Sequence, residues 1–194
     1  MSDTLKNKLS YTPTEIKGVH LIKRELHKDT RGSFARIYCN KELNNINIKK
    51  PISQINYSET ILKGAMRGMH FQLNPYKEEK IITCLSGAIF DVVVDLRYNS
   101  PTFLQWHSEI LNSKNNNSLA IPEGCAHGFQ ALENDCKLIY LHTEIYNPDF
   151  ERAINPMDPM IGINWPMPVS EISKKDANQP FTDELYLGFL KNEM

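Results

Sequence analysis

The chain has 194 residues, 41% of them hydrophobic and 23% charged, enough for one compact core and too few for two ordinary domains, so a single soluble domain over 1–194 is expected. Its 22 Lys and Arg against 23 Asp and Glu leave a formal net charge of −1, which excludes a general nucleic-acid or anionic-membrane binder and requires any anion to be held locally. The most apolar stretch, 88–96, is broken by Asp91 and falls far short of the roughly 20 apolar residues that span a bilayer. The opening residues carry Lys with no apolar run behind them, unlike a secretory signal, so a cytoplasmic location is expected.

In chain order, residues 41–45 read as a short helical turn, and Arg67-Gly-Met-His70-Phe-Gln72 is the densest polar cluster set among apolar strand residues. Residues 81–85 and 88–96 are β-forming runs, with Ser86-Gly87 between them expected to act as a hairpin turn. Period-two alternation puts Phe90, Val92, Val94 and Leu96 on a packing face and Ile89, Asp91, Val93 and Asp95 on a half-polar one. The Asn-rich run 112–118 is a turn between strands, and 138–141 is a further strand. Residues 182–192 are expected to form a terminal helix starting at a Thr or Asp cap. Short strands with turns every ten or so residues, and helices only at the ends, favour an all-β sandwich or barrel.

Strand alternation places His70 and Gln72 on one face. Arg67 lies an odd number of residues away, so it meets the same ligand only if the strand bulges, and Gly68 is where a bulge is tolerated. On this segment alone a half-buried histidine beside a surface arginine is an equal reading. Ile121-Pro-Glu-Gly-Cys-Ala-His127-Gly-Phe129 is a tight turn running into a strand, which fixes the backbone around His127. Together the two segments resemble the paired motifs of the cupin fold. Pro122, Gly124 and His127 match the second motif, whereas the first offers only His70, with Gln72 where a second His would stand. A first-row metal in such a site wants three or four N/O ligands, so no metal is expected. Cys39, Cys84, Cys125 and Cys136 form no CxxC pair and read as reduced thiols.

Further along the chain stand Asp29-Thr-Arg31-Gly-Ser-Phe34, Gln54-Ile-Asn56, Arg67-Gly-Met-His70-Phe-Gln72, Lys80, the 87–97 strand, Ser100-Pro-Thr102, the 121–129 turn, Tyr140, Tyr146-Asn-Pro148, Asp158-Pro159, Ile163-Asn-Trp-Pro166 and Ser173-Lys-Lys-Asp176. In these segments the chain resembles the dTDP-4-dehydrorhamnose 3,5-epimerase family over residues 16–181, leaving 182–194 as a C-terminal helix or tail. The resemblance implies a cupin-type jelly-roll sandwich (a double-stranded β-helix) with short terminal helices. It also implies a homodimer with exchanged N-terminal strands and a site in the barrel mouth needing neither metal nor redox cofactor. The implied reaction inverts C3 and/or C5 of a nucleotide-linked 4-keto-6-deoxy sugar, by default dTDP-4-dehydro-6-deoxyglucose, in deoxysugar and polysaccharide biosynthesis.

By the same resemblance His70 is the general base, Asp176 its dyad partner, Lys80 the cation beside the C4 oxygen and Tyr140 the acid on the opposite face. Arg31, Gln54, Asn56 and Arg67 hold the diphosphate nucleotide, Tyr146 stacks on the base, Phe34 comes from the partner subunit, and His127 supports the site. Imidazole suits the base because its unperturbed pKa of about 6.5 lies near working pH. Without the resemblance, Asp176 is a solvated turn residue, Lys80 a surface lysine and Tyr140 a core aromatic. His20, His27, His107 and His142 match no role and read as surface or satisfied histidines.

Arg36 stands where many family members carry a Glu near the nucleotide, which opens CDP- and GDP-linked sugars beside dTDP. Inversion at one carbon only, C3 or C5, is also open, because it depends on how the sugar ring turns in the site. Competing readings are a sugar-nucleotide 3,4-ketoisomerase, a non-catalytic sugar-nucleotide-binding cupin and a metal-dependent oxygenase. Gln72 and the joint presence of His70, Asp176, Lys80 and Tyr140 favour epimerisation.

Overall fold

The computed structural model describes residues 8–48 and 50–193. Its N-terminal part holds β1 (Leu9–Pro13), β2 (His20–Arg24), β3 (Leu26–Asp29), β4 (Gly32–Ala35) and α1 (Asn40–Leu43), the last continuing into a 3-10 turn at Asn44–Ile46. The middle is all strand: β5 (Gln54–Thr60), β6 (Met66–Gln72), β7 (Lys80–Ser86), β8 (Ala88–Asp95), β9 (Trp106–Asn112), β10 (Asn117–Ile121), β11 (Cys125–Ala131), β12 (Cys136–His142) and β13 (Glu151–Ala153). Two short helices close the chain, α2 (Lys174–Ala177) and α3 (Glu184–Glu193).

The strands form two antiparallel sheets, β1-β2-β10-β7-β12-β5 and β13-β6-β11-β8-β9, and β3 and β4 make a separate hairpin. This is the expected all-β sandwich of the cupin type, with helices confined to the margins. The core between the sheets is built from Ile82, Ile89, Val93, Leu119, Phe129 and Leu138. A second cluster, including Phe71, Val92, Val94, Ile154 and Leu190, covers the other face of the β8 sheet, and a third packs α1 against Ile81 and Leu141.

Two expectations need correction. Ser86-Gly87 does not turn a hairpin, because β7 pairs with β10 and β12 while β8 pairs with β11 and β9. The turn carries the chain from one sheet to the other, and Gly87 at φ +75° is packed so closely on Cys136 that a Cβ would sit 2.7 Å from its sulfur. The face carrying Ile89, Asp91, Val93 and Asp95 is not a half-polar surface either. All four residues are fully buried, since both faces of a central sandwich strand are covered and the carboxylates must find partners inside. The terminal helix runs from Glu184 to Glu193, directly after the expected Thr or Asp cap. Thr182 is held outside it, giving its amide and hydroxyl to Asp158 Oδ2 at 2.6 and 2.8 Å, and Asp183 caps the helix by accepting from the Tyr186 amide at 2.8 Å.

Candidate active site

A cavity of about 870 Å³ is lined by residues of both sheets and of the α2 segment. Of the eleven residues proposed for the site, nine line it: Gln54 and Asn56 from β5, Arg67 and His70 from β6, Lys80 from β7, His127 from β11, Tyr140 from β12, and Tyr146 and Asp176 from the C-terminal segments. Arg31 and Phe34 do not. They sit on the β3–β4 hairpin, where Arg31 pairs with Asp29 at 2.6 Å and Phe34 is 74% exposed. Arg36 also lies off the cavity wall and its guanidinium is paired with Glu42.

The β6 strand brings Arg67 and His70 to the same site by the expected bulge. His70 lies opposite His127 and Arg67 opposite Phe129, so Gly68 and Met69 of β6 stand against the single Gly128 of β11. Only glycine fits the bulge: Gly68 has φ +129°, and a Cβ there would lie 2.4 Å from Gly128 Cα.

His70 Nε2 lies 2.9 Å from Asp176 Oδ1. Asp176 Oδ2 accepts from the Gly68 amide at 3.3 Å, and the Asp176 amide donates to the Ser173 side chain at 3.0 Å, which caps α2 and sets the carboxylate in place. Asp176 is therefore a buried group rather than a solvated turn residue. Burial pushes its carboxyl up, but the contacts with His70, Gly68 and Ser173 outweigh that and hold it below the usual carboxylate range. A carboxylate at Nε2 fixes the tautomer with that nitrogen protonated and leaves Nδ1 as the proton-accepting atom.

Tyr140 faces the site from the other sheet. Its phenol accepts from Ser58 Oγ at 3.3 Å, and its ring meets His127 edge-on at 6.1 Å and lies nearly parallel to His142 at 6.0 Å. Burial pushes the Tyr140 hydroxyl well above its ordinary value, so it stays protonated at neutral pH. Lys80 is almost fully buried; its ammonium donates to the His70 carbonyl at 3.3 Å and pairs with Glu78 at 3.0 Å.

The polar residues at the cavity rim are tied together. Gln54 donates to Asn56 Oδ1 at 3.0 Å and accepts from the Tyr146 amide at 2.9 Å, while the Tyr146 hydroxyl donates to Glu151 at 3.0 Å. Arg67 donates to Thr60 Oγ1 at 3.1 Å and to the Glu59 carbonyl at 3.2 Å. Gln72 is spent on structure: its amide donates to the carbonyls of Tyr76 and Ile145 and accepts from the Asn147 amide, clamping the loops on either side of the strand. Among the described residues no group of three or more His, Cys, Asp and Glu is arranged to hold a metal ion.

Sequence reasoning passed over three cavity-end groups. Asp91 holds His127 Nε2 at 2.7 Å and is fully buried, which pushes its carboxyl up. A carboxylate inside the most apolar run was itself the signal, since a buried charge needs a partner. His142, with no assigned role in the sequence, is a buried histidine bound to Glu78 at 2.7 Å; it shares a strand face with Tyr140. Glu78 lies two residues from Lys80, the period that puts both on one face of an extended chain.

The cavity of the two-sheet sandwich thus gathers a His–Asp pair, a buried ammonium and a buried phenol. The chain belongs to the dTDP-4-dehydrorhamnose 3,5-epimerase family, whose model matches residues 13–184. It is 36% identical over 190 residues to the dTDP-4-dehydrorhamnose 3,5-epimerase of Sinorhizobium fredii, covering 97% of both chains. It is also 36% identical over 167 residues to the dTDP-4-dehydrorhamnose 3-epimerase of Streptomyces niveus, covering 86% of this chain and 80% of that one. Among solved structures, the dTDP-6-deoxy-D-glucose-3,5-epimerase of Legionella pneumophila, in complex with dTDP-4-keto-L-rhamnose, superposes with a TM-score of 0.85 at 34% identity, covering 89% of this chain and 92% of the other.

Proposed function

We propose that this chain, as one domain, inverts C3 and C5 of dTDP-4-dehydro-6-deoxyglucose by proton transfer at carbon. The observation that carries the reading is the placement of base and acid on opposite walls: His70 on β6 of one sheet, Tyr140 on β12 of the other, both lining one cavity. Inversion needs this arrangement, because a base can return a proton only to the face it took it from.

In this reading His70 Nδ1 removes the proton beside the C4 ketone while Asp176 stabilises the imidazolium that forms. Lys80 supports the enolate oxygen, since a preorganised charge is worth most where charge develops. Tyr140 delivers a proton from the opposite face. Arg67, Gln54 and Asn56 hold the diphosphate nucleotide, arginine because its fork binds two oxygens at once; Tyr146, half exposed at the rim, stacks on the base, and His127, braced by Asp91, supports the cavity wall. Arg31 and Phe34, on an exposed hairpin outside this chain's cavity, complete a second subunit's site in a homodimer. The pairing of Arg36 with Glu42 supports dTDP as the nucleotide, since the reversed charge is spent within the chain. The enzyme acts in the cytoplasm; among the described residues no helix is long and apolar enough to cross a membrane.

The test is incubation of the purified protein with dTDP-, CDP- and GDP-linked 4-keto-6-deoxy sugars, followed by NMR of the recovered sugar. Conversion of the dTDP compound to the 4-keto-rhamnose configuration is expected. Inversion at one carbon alone would correct the double inversion, and no conversion of any of the three would refute the reading.

A further inference from the structure

We propose that Glu78 and His142 are positioning residues that aim the Lys80 ammonium into the cavity, a role that rests on reading Lys80 as the group facing the substrate's carbonyl oxygen. Strand register makes the arrangement. Gln54 pairs with His142 and His142 with Lys80, so the three form one row across β5, β12 and β7, and all three line the cavity together with Glu78.

The Glu78 carboxylate is used at both ends. Oε2 lies 2.7 Å from His142 Nδ1 and Oε1 lies 3.0 Å from Lys80 Nζ. Lys80 gives a second bond to the His70 carbonyl at 3.3 Å. An ammonium has three N–H donors, so two bonds to the protein fix its direction and leave one donor for a ligand oxygen. The same His70 that supplies the base thus supplies, through its backbone, one anchor of the lysine.

Desolvation makes the counter-charge necessary. The side chains of Lys80, Glu78 and His142 are only 9%, 7% and 11% exposed, and a buried charge is costly unless it is paired and hydrogen-bonded. Glu78 itself is held ionised: burial pushes its carboxyl up, but Lys80 and His142 together bring it below the usual range.

His142 connects this pair to the rim. With Nδ1–H donated to Glu78, Nε2 accepts from Asn56 Nδ2 at 3.4 Å, and Asn56 Oδ1 accepts from Gln54 Nε2 at 3.0 Å. Every bond in this chain runs in one direction, from Gln54 through Asn56 and His142 to Glu78. Occupation of the rim by a nucleotide diphosphate therefore bears on the residues that hold Lys80. Neither Glu78 nor His142 needs to touch a reacting atom; both act through the lysine.

A double-mutant cycle separates this role from a merely structural one. Glu78→Gln, Lys80→Ala and the double variant are compared with the wild type by solvent-deuterium incorporation into dTDP-4-dehydro-6-deoxyglucose, with dTDP affinity measured by calorimetry. Glu78→Gln is expected to lower the turnover rate about 100-fold, the scale of a misplaced reacting group, with KM and dTDP affinity little changed. In the Lys80→Ala background it should add no further loss. If Glu78→Gln proves unable to bind dTDP for want of folding, the same cycle run with His142→Leu is expected to show a smaller loss that likewise vanishes without Lys80. Wild-type turnover in Glu78→Gln, or losses that multiply with that of Lys80→Ala, would overturn the proposal while leaving the epimerase reading standing. A wild-type protein that exchanges no sugar proton would overturn both.

Discussion

Replacing Asp176 with Asn tests whether the His70 contact is chemical or architectural. The substitution keeps size and shape but presents an amide, whose NH2 can donate to His70 Nε2 where the carboxylate accepted from it at 2.9 Å. The ring then carries its proton on Nδ1 and presents no lone pair to the substrate. The variant also loses the charge that stabilises the imidazolium. With charge centres about 4 Å apart and an effective dielectric near 20, that attraction is about 4 kcal/mol, equivalent to roughly a thousandfold in rate at about 1.4 kcal/mol per decade. The assay is deuterium incorporation at the sugar carbons with dTDP affinity as the control, because Asp176 bonds to His70 and Gly68 and not to the proposed nucleotide-holding residues Gln54, Asn56 and Tyr146. Asp176→Asn should lose about three decades of exchange and bind dTDP as the wild type does. Exchange within tenfold of the wild type would refute the argument that the carboxylate sets the tautomer and balances the charge.

Tyr140→Phe should still permit proton loss, read as deuterium uptake, while inversion falls about 100-fold or more, the contribution of a positioned general acid; inversion at the wild-type rate would assign the second proton to another donor. Arg67→Ala should weaken dTDP binding by about tenfold or more, as expected for hydrogen bonds to a charged group worth about 1.5–3 kcal/mol, and calorimetry giving unchanged affinity would remove Arg67 from the diphosphate site. Acid stability follows from the depressed Asp176 carboxyl. A group whose folded pKa lies below its unfolded value of about 3.9 contributes stability above that value, and the contribution is lost as pH falls through the folded one. Thermal melts from pH 6 to pH 3, with the range set by that same carboxylate value of about 3.9, should therefore show wild type and Asp176→Asn converging below about pH 4, and parallel curves would contradict the shift.

Much of the architecture is legible because the strands obey simple periods. Residues 88–95 alternate as strands do, and Gly68 marks a bulge because no other residue tolerates its backbone beside Gly128. The crossing at Ser86-Gly87 was not legible: a tight glycine turn between two apolar strands looks alike whether the strands pair or part into two sheets, and only long-range pairing decides. The burial of Asp91 was missed for a related reason, since alternation tells which residues share a face but not whether that face meets water. Within the site, His70 and His127 sit in local motifs that can be read directly. Asp176 is different: its partner lies 106 positions away, and only the capped α2 turn brings it to His70. The Glu78–His142 pair spans 64 positions and escaped notice because neither residue sits in a motif.

The central claim is that His70 removes a proton from a sugar carbon in this cavity. Proton NMR in D2O with dTDP-4-dehydro-6-deoxyglucose, comparing the wild type with His70→Ala, tests it most directly. The account predicts that the wild type erases the signals at C3 and C5, and that His70→Ala binds dTDP yet leaves both signals intact. Exchange that continues unchanged in His70→Ala would contradict it.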